Sequence, residues 1–356
     1  MAEQLNQLRA KIDAIDNELL ELINARAKLA QAVGHQKGNA VTYRPEREAQ
    51  VLSRLQQLNA GPLSNERITA LFTEIISACR AMEAPLTIAY LGPPGTFSEE
   101  AVSKRFGHAV VTIACHSIDD VFRQVESGSA HYGVVPVENS TEGAVGRTMD
   151  LLVQTPLVVC GEIELPVHHC LMAKHSDLTQ IQKIYSHPQS FGQCIGWLNH
   201  QSAQLKSVAQ INVASNADAA RLAASDPHAA AIASSKAAEI FELTICARNI
   251  EDDPNNTTRF LVMGSQRVPV SGKDKTSLAI STHDQPGAVY ELLAPLAKYQ
   301  VSMSRFESRP SRKGLWEYMF FIDLEGHQDN DNIASAIGEL RDKATFLKIL
   351  GSYPAA

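Results

Sequence analysis

The stretch Gly133–Leu152, GVVPVENSTEGAVGRTMDLL, decides how the middle of the chain folds. Val134, Val135 and Val137 read as a buried strand, Glu138–Ser140 as a polar elbow, and the residues from about Gly143 as a helix. Such a strand delivers Glu138, Asn139 and Ser140 to the carboxyl edge of a sheet, where open α/β folds bind ligands. Asn and Ser also cap helices, so the elbow taken alone is equally a strand-to-helix turn. The surrounding sequence has to choose.

On either side, strand and helix patterns alternate from TIAYLG at 87–92 to about residue 264, the mark of α/β architecture. Leu157–Ile163 and Val167–Met172 read as strands crossing into a second lobe, and Phe260–Met263 as the return. Three more polar clusters close strands: Gly95–Ser98, Ser186–Gln193 and Asn255–Arg259. Thr96 and Glu99 fit a capping box. Each cluster alone reads as a cap or turn, but four of them facing one cleft between two lobes make a ligand site. No GxGxxG follows any strand, which argues against a nicotinamide-dependent dehydrogenase.

Residues 1–84 carry almost no strand signal. Leu5, Leu8, Ile12, Ile15, Leu19, Leu22, Leu29 and Val33 keep a 3-4 spacing that predicts one helix of about 35 residues, ~50 Å long. That length outruns the cover of a short domain, so the helix should pair with another chain. Arg26 interrupts the seam, where an unpaired guanidinium is expensive. Lys37 returns to within about 20° of the same face, leaving a gap sized for a small dianion. Arg9 faces elsewhere and could reach the partner's site. A second helix from Glu46 to Leu58 carries Arg47 and Glu48. A third, from Asn65 to about Met82, carries Cys79 on its apolar stripe, with Glu83 one turn further.

At the other end, Gln266–Lys275 reads as a polar linker. Then come TSLAIST, a helix at 287–299, VSMSRFES, LWEYMFFIDLEG, a helix from about Asn332 to Lys343, and FLKILGSYP. That order, βαββαβ, is ferredoxin-like.

The whole chain of 356 residues suits two or three domains. A net charge of -7 argues against nucleic acid or an anionic membrane as partner. Six scattered cysteines without a CxxC pair suit a reducing, cytoplasmic compartment. The charged N-terminus lacks the apolar core of a signal peptide, and no run approaches the ~20 apolar residues of a membrane span.

Three family resemblances rest on these residues. LRAKIDAIDNELLELINARAKLAQAVGHQK, PEREAQVL and LFTEIISACRAME resemble the AroQ-type helical chorismate mutases. The resemblance implies that Arg26 and Lys37 hold chorismate's carboxylates and ether region, that Arg47 and Glu48 line the site, and that Arg9 enters from the other subunit. Glu83 falls where that family faces the ether oxygen with Gln or Glu, and Cys79 where a small polar residue is common. Arg44 departs from the acid that some members carry. The rearrangement is pericyclic, so the site has to hold a compact conformer and stabilise charge on the ether oxygen, which Glu83 does only when protonated.

GPPGTFSEEA, VPVENSTEGAVGRTMDLL, SHPQSFGQC and NTTRFLV resemble the prephenate dehydratases. This implies loss of carbon dioxide and water from prephenate, with Thr258 as donor to the leaving hydroxyl and Asn139, Ser186 and Gln193 orienting the substrate beside Ser140. Glu138 either tunes Thr258's network or caps the helix. Gly287-Ala288-Val289-Tyr290 and Glu307-Ser308-Arg309-Pro310 resemble the phenylalanine-binding motifs of ACT domains, with the site expected between two such domains.

The expectation is therefore a multidomain chain. Residues 1–85 form an all-α three-helix mutase, 86–265 a two-lobed α/β dehydratase of periplasmic-binding-protein-like form, and 276–356 an α+β ferredoxin-like ACT domain. The order is that of the bifunctional chorismate mutase–prephenate dehydratases, feedback-inhibited by phenylalanine and working as a homodimer or higher oligomer, with no cofactor or metal implied. Two other readings use the same residues: a two-lobed solute-binding protein, and a dehydratase whose head is only a dimerisation module.

Overall fold

In the computed structural model of the chain, the described residues are 1–37, 43–200, 205, 208–283, 285–310 and 318–356, except for the side chains of 35 and 37. The chain divides into two compact units. One holds Met1–Arg44, Val51–Leu86 and Lys104–Val111; the other holds Pro45–Gln50, Thr87–Ser103 and Thr112–Ala356.

In the first unit the 36 residues Ala2–Lys37 form a single helix, α1. Residues 38–42, which follow it, lie outside the described residues. α2 (Pro45–Leu58), whose residues up to Gln50 count with the second unit, opens on Pro45, whose missing N–H costs nothing at a helix start. α3 (Asn65–Ala81) is capped by Ser64, whose Oγ accepts from Arg67 N at 3.4 Å, and packs along α1. The seam residues Leu5, Leu8, Ile12, Ile15, Leu19, Leu22, Leu29 and Val33 all remain exposed. Buried Tyr43 packs against Phe106, and the Arg80 guanidinium sits 5.3 Å from the Tyr43 ring while donating to the Phe106 carbonyl at 2.9 Å.

The second unit begins with β1 (Thr87–Leu91), α4 (Phe97–Phe106), β2 (Val111–Cys115), α5 (Ile118–Glu126) and β3 (Tyr132–Asn139). The elbow corrects the sequence reading. Gly143–Ala144 form a short strand, β4, that folds back on β3 with Asn139 opposite Gly143, and the helix α6 (Gly146–Gln154) starts only at Gly146. The capping box is corrected as well: Glu99 Oε2 accepts from Gly95 N at 2.6 Å, whereas Thr96 Oγ1 donates to the Leu91 carbonyl at 3.1 Å.

β5 (Val158–Pro166) leads to a second sheet built from β6 (Cys170–Ala173), β7 (Lys183–Ser186), β8 (Ala209–Asn212), β9 (Ala229–Ala233) and β10 (Thr244–Ala247), in the order β10-β6-β9-β7-β8. Its helices are α7 (Pro188–Gln193), α8 (Ile195–His200), α9 (Asn216–Ser225) and α10 (Ser235–Ile240). The chain then returns: β11 (Thr257–Gly264) enters antiparallel between β3 and β5, completing the first sheet in the order β2-β1-β3-β11-β5. Two sheets joined by crossing segments give the two lobes.

The C-terminal part contains β12 (Asp274–Ser281), α11 (Ala288–Lys298), β13 (Met303–Pro310), β14 (Tyr318–Glu325), α12 (Asp331–Lys343) and β15 (Phe346–Pro354). Its antiparallel sheet runs β13-β14-β12-β15. The faces alternate residue by residue. Leu278, Ile280, Ile322 and Leu324 pack under the two helices, whereas Ala279, Met319, Phe321 and Leu350 share a core with Val135, Met149, Leu152 and Val159 of the first lobe. Gly351 allows this approach, since a Cβ there would overlap the Val159 backbone. The Gln266–Lys275 segment is more structured than a polar linker. Val268 is buried, Asp274 accepts from Ser271 N and Gly272 N, and Lys275 pairs with Glu162 at 2.7 Å.

Candidate functional site

A cavity of about 740 Å³ lies in the second unit, and every one of the four polar strand-end clusters contributes to its wall. Thr96, Phe97 and Ser98 come from the first, Asn139 from the elbow, His187, Gln189, Ser190 and Gln193 from the second lobe, and Thr258 from β11. The volume suits a small organic molecule.

Two features of the β-sheet aim the central pair. Thr258 lies directly opposite Asn139, and the pairing register slips between Arg259 and Phe260, so that Phe260 meets Pro136. This bulge in β3 lets Pro136 and Asn139 both line the cavity, although Val135 and Val137 belong to the core. Asn139 Nδ2 donates to Thr258 Oγ1 at 2.9 Å and to Asn256 Oδ1 at 2.9 Å. Its Oδ1 accepts from the Thr141 hydroxyl at 2.6 Å, and Gln193 Nε2 reaches Thr141 Oγ1 at 3.0 Å. Asn139, Thr258 and Gln193 are thus brought together.

The other sequence candidates stand outside the wall. Glu138 turns the opposite way and pairs with Arg305 of β13 at 2.8 Å, so it caps no helix. Ser140 Oγ accepts from Thr257 N at 3.0 Å. Ser186 is buried and donates to Ile232 O and Asn216 Oδ1, both at 3.2 Å. Asn216 in turn donates to Ser190 at 2.7 Å, and both of these residues line the cavity.

His169, Thr141, Asn216 and Asn256 were not singled out from sequence. His169 is 1 % exposed, and its Nε2 lies 2.9 Å from Gln193 Oε1. Burial holds its imidazole below the ordinary histidine pKa, opposed by Gln193 and Glu251 and helped by His168. Cys115, also in the wall, has its thiol pushed up by burial, which disfavours the thiolate. Among the described residues, no cluster of His, Cys, Asp or Glu could hold a metal ion.

Arg259 belongs to the same short motif as Thr258 but points away from the cavity. Its guanidinium donates to Glu162 at 2.8 Å, Asp323 at 2.5 Å and the Tyr353 hydroxyl at 3.0 Å. Its pKa is raised against the pull of burial by Tyr353, Asp323 and Glu162.

In the first unit, Arg9 is exposed, Arg26 and Glu83 are half-buried, and Cys79 is buried. A Cβ on Gly34 would meet Glu83 Cγ at 2.8 Å, so the absence of a side chain there lets Glu83 lie against α1. Lys37 follows Gly34 by three residues on that helix face, but its side chain lies outside the described residues. On the first turn of α2, Arg47 is exposed and Glu48 half-buried. Arg44 is exposed.

In the C-terminal part, Gly287 caps α11 with φ +84, a conformation that favours glycine. Ala288 is buried, while Val289 and Tyr290 are exposed. On β13, Arg305, Glu307 and Arg309 share one half-buried face and Ser308 and Pro310 the exposed one. Arg309 reaches α6, lying against Gly146 and 3.6 Å from Asp150.

Comparisons with known proteins bear on all three regions. The family model of chorismate mutase type II matches residues 8–84, that of prephenate dehydratase residues 88–268, and that of the ACT domain residues 276–342. A bifunctional chorismate mutase/prephenate dehydratase from Neisseria gonorrhoeae is 52% identical over 363 residues, covering 100% of this chain and 99% of its own. One from Escherichia coli K12 is 34% identical, covering 98% of this chain and 95% of its own. The crystal structure of a prephenate dehydratase from Arthrobacter aurescens, in complex with L-Phe, superposes with a TM-score of 0.69 at 32% identity, covering 76% of this chain and 90% of that one.

Proposed function

The chain belongs to the bifunctional chorismate mutase/prephenate dehydratases, and on that premise we propose which residues carry the two reactions and how phenylalanine controls them. It is an enzyme with both activities, converting chorismate to prephenate and prephenate to phenylpyruvate.

In the mutase reaction one ether C–O bond breaks while one C–C bond forms, and no nucleophile takes part. Arg26 and Lys37 hold the substrate's anionic groups, and Lys37, with Glu83 beside it, faces the ether oxygen and stabilises charge there. The contact of Glu83 with α1 at Gly34, one turn before Lys37, supports this placement. Arg47, Glu48 and Cys79 complete the substrate-binding set, and Arg9 serves the site of a second copy. The uncovered apolar seam of α1 supports a homodimer. The cytoplasm is the compartment that fits the free cysteines.

In the dehydratase, Thr258 gives its hydroxyl proton to the departing ring hydroxyl, which leaves as water. The bond to the ring carboxylate breaks at the same carbon skeleton, carbon dioxide departs, and its electron pair restores aromaticity. Solvent returns the proton to Thr258. A free threonine is a very weak acid, so it acts only when positioned. The observation that carries the assignment is the 2.9 Å bond from Asn139 Nδ2 to Thr258 Oγ1 at the cavity wall. Gln193 orients the substrate, Ser186 acts through Asn216, and Ser140 fixes the backbone of β11. Glu138 serves regulation through Arg305.

Phenylalanine binds at the helix start Gly287–Tyr290 and the strand Glu307–Pro310, with exposed Tyr290 available to a second copy. β13 then links that site to the elbow, since Arg305 of this strand pairs with the neighbour of Asn139.

Phenylpyruvate formation from chorismate, assayed with and without phenylalanine, tests the reading. Product that falls on adding phenylalanine supports it, and prephenate that accumulates without phenylpyruvate overturns the cavity assignment. Lys37→Ala should remove only the mutase activity; a parallel loss of both activities contradicts the separate sites.

A further inference from the structure

The hydrogen bonds around the cavity have a direction, and it is set at Asn139. The backbone N–H groups of Thr141 and Glu142 each lie 3.1 Å from its Oδ1. An N–H only donates, so this atom is the amide oxygen, and Nδ2 faces Thr258 and Asn256. Thr141 Oγ1, 2.6 Å from the same oxygen, spends its hydrogen there. It must therefore accept from Gln193, which puts Gln193 Nε2 on Thr141 and Gln193 Oε1 on His169. An amide oxygen only accepts, so His169 carries its hydrogen on Nε2. Its Nδ1 has no hydrogen-bond partner among the described residues, and a proton added there would be a buried, unpaired charge. At the other end, Thr258 accepts from Asn139, so its own hydrogen is left for an acceptor in the cavity.

We propose that His169, as the neutral Nε2–H tautomer, is a positioning residue for the dehydration. It locks the Gln193 amide, which donates to the Thr141 hydroxyl and so reinforces the orientation, set by the backbone at Asn139, that holds Thr258 as acceptor toward the protein and donor toward the substrate. The chain also crosses the cleft: Gln193 ends α7 in the second lobe, while Thr141 and Asn139 belong to the elbow of the first. A flipped Gln193 would set two acceptors against each other at Thr141 and leave His169 without its partner. His169 touches no reacting atom; it acts only through Gln193.

The proposal rests on the dehydratase reading of the cavity, and the tests separate the two. If the wild-type chain forms no phenylpyruvate from prephenate, that reading fails; the present inference is judged on an active wild type. In the full-length chain, His169→Leu should lower kcat for phenylpyruvate formation by about 10- to 100-fold with KM nearly unchanged, the loss expected when a positioned donor is released. His169→Gln offers an N–H near the same place and should restore most of that activity. Mutase activity, unchanged in both variants, controls for folding. Equal losses in the two variants, or a His169→Leu enzyme as fast as wild type, overturns the proposal. A second measurement needs no variant activity: 15N NMR of the histidine-labelled wild type, with the His169→Gln spectrum giving the assignment, should show Nε2 protonated and Nδ1 bare. Protonation at Nδ1 overturns the proposal whatever the kinetics.

Discussion

Asn139 and Thr258 stand opposite each other on β3 and β11, and one residue along so do Glu138 and Arg259. The two pairs serve opposite sides of one sheet. On the cavity side Asn139 and Thr258 bond to neutral amides and hydroxyls, and the bonds among them leave one hydroxyl hydrogen uncommitted. On the other side the groups are charged, and each meets the ACT domain: Glu138 pairs with Arg305, and Arg259 with Asp323 and Tyr353. The physics differs accordingly. A reacting hydroxyl gains from fixed dipoles that need no rearrangement, whereas a buried charge is tolerated only with its counter-charge in place. The ladder of β3 and β11 thus joins a catalytic face to an interface face through adjacent backbone atoms.

The strongest way to break this comparison is at Thr258. Thr258→Ala should reduce phenylpyruvate formation by about 10³-fold or more while sparing the mutase, and Thr258→Ser should retain much of the rate. An active alanine variant would place the proton donor elsewhere in the wall.

Arg259 tests the opposite face. The side chains of Glu162 and Asp323 are 0 % and 6 % exposed, so Arg259→Met takes the guanidinium from two buried carboxylates, leaving Glu162 with Lys275 and Asp323 with no cation among the described residues. The second unit should lose about 3–5 kcal/mol of stability, and Glu162→Gln with Asp323→Asn in the same chain should recover a good part of it. Denaturant titration reads both. A loss below about 1 kcal/mol would make the cluster no stronger than a surface pair.

Arg305→Met sharpens the comparison further, because Glu138 was a catalytic candidate by resemblance. If Glu138 belongs to the interface face, Arg305→Met and Glu138→Gln should each leave kcat within about 3-fold of wild type. Each should raise the phenylalanine concentration for half inhibition by at least about 5-fold, the low end of ordinary allosteric coupling. The double variant should be no worse than either single one. A large kcat loss confined to Glu138→Gln would return that residue to the chemistry.

These faces were unequally legible in the sequence. Cap-forming residues advertise strand ends locally, so the four polar clusters and their convergence could be read, as could α1 from its spacing. Which member of each cluster faces the cavity could not. Strict alternation would put Asn139 on the side of Val137, and only the bulge in β3 turns it with Pro136. TRF reads as one motif, yet Thr258 and Arg259 serve opposite faces because neighbours on a strand must diverge. YMFFIDL and SLAIS are apolar without alternation, which marks a sheet buried on both faces and so a docked ACT domain. His169 gave no signal, since its meeting with Gln193 is made by tertiary structure alone.

The smallest expected effect concerns His169 and stability. Burial lowers its pKa in the folded chain, Gln193 and Glu251 opposing and His168 assisting. Below about pH 6.5 the unfolded chain takes up a proton that the folded chain refuses, so this contribution is complete above that pH and is lost as pH falls toward the folded-state value. The neighbouring Glu251, paired with His168, has its pKa lowered, burial opposing that pair, so its own contribution disappears only below the ordinary glutamate range. As pH falls below about 6.5 the wild type should lose stability more steeply than His169→Gln, by no more than ~1.4 kcal/mol per pH unit, the limit for one proton. Urea titrations at several pH values measure the difference. Parallel slopes would mean that His169 is as readily protonated in its site as in water, and the cavity face would then hold a charge like the interface face.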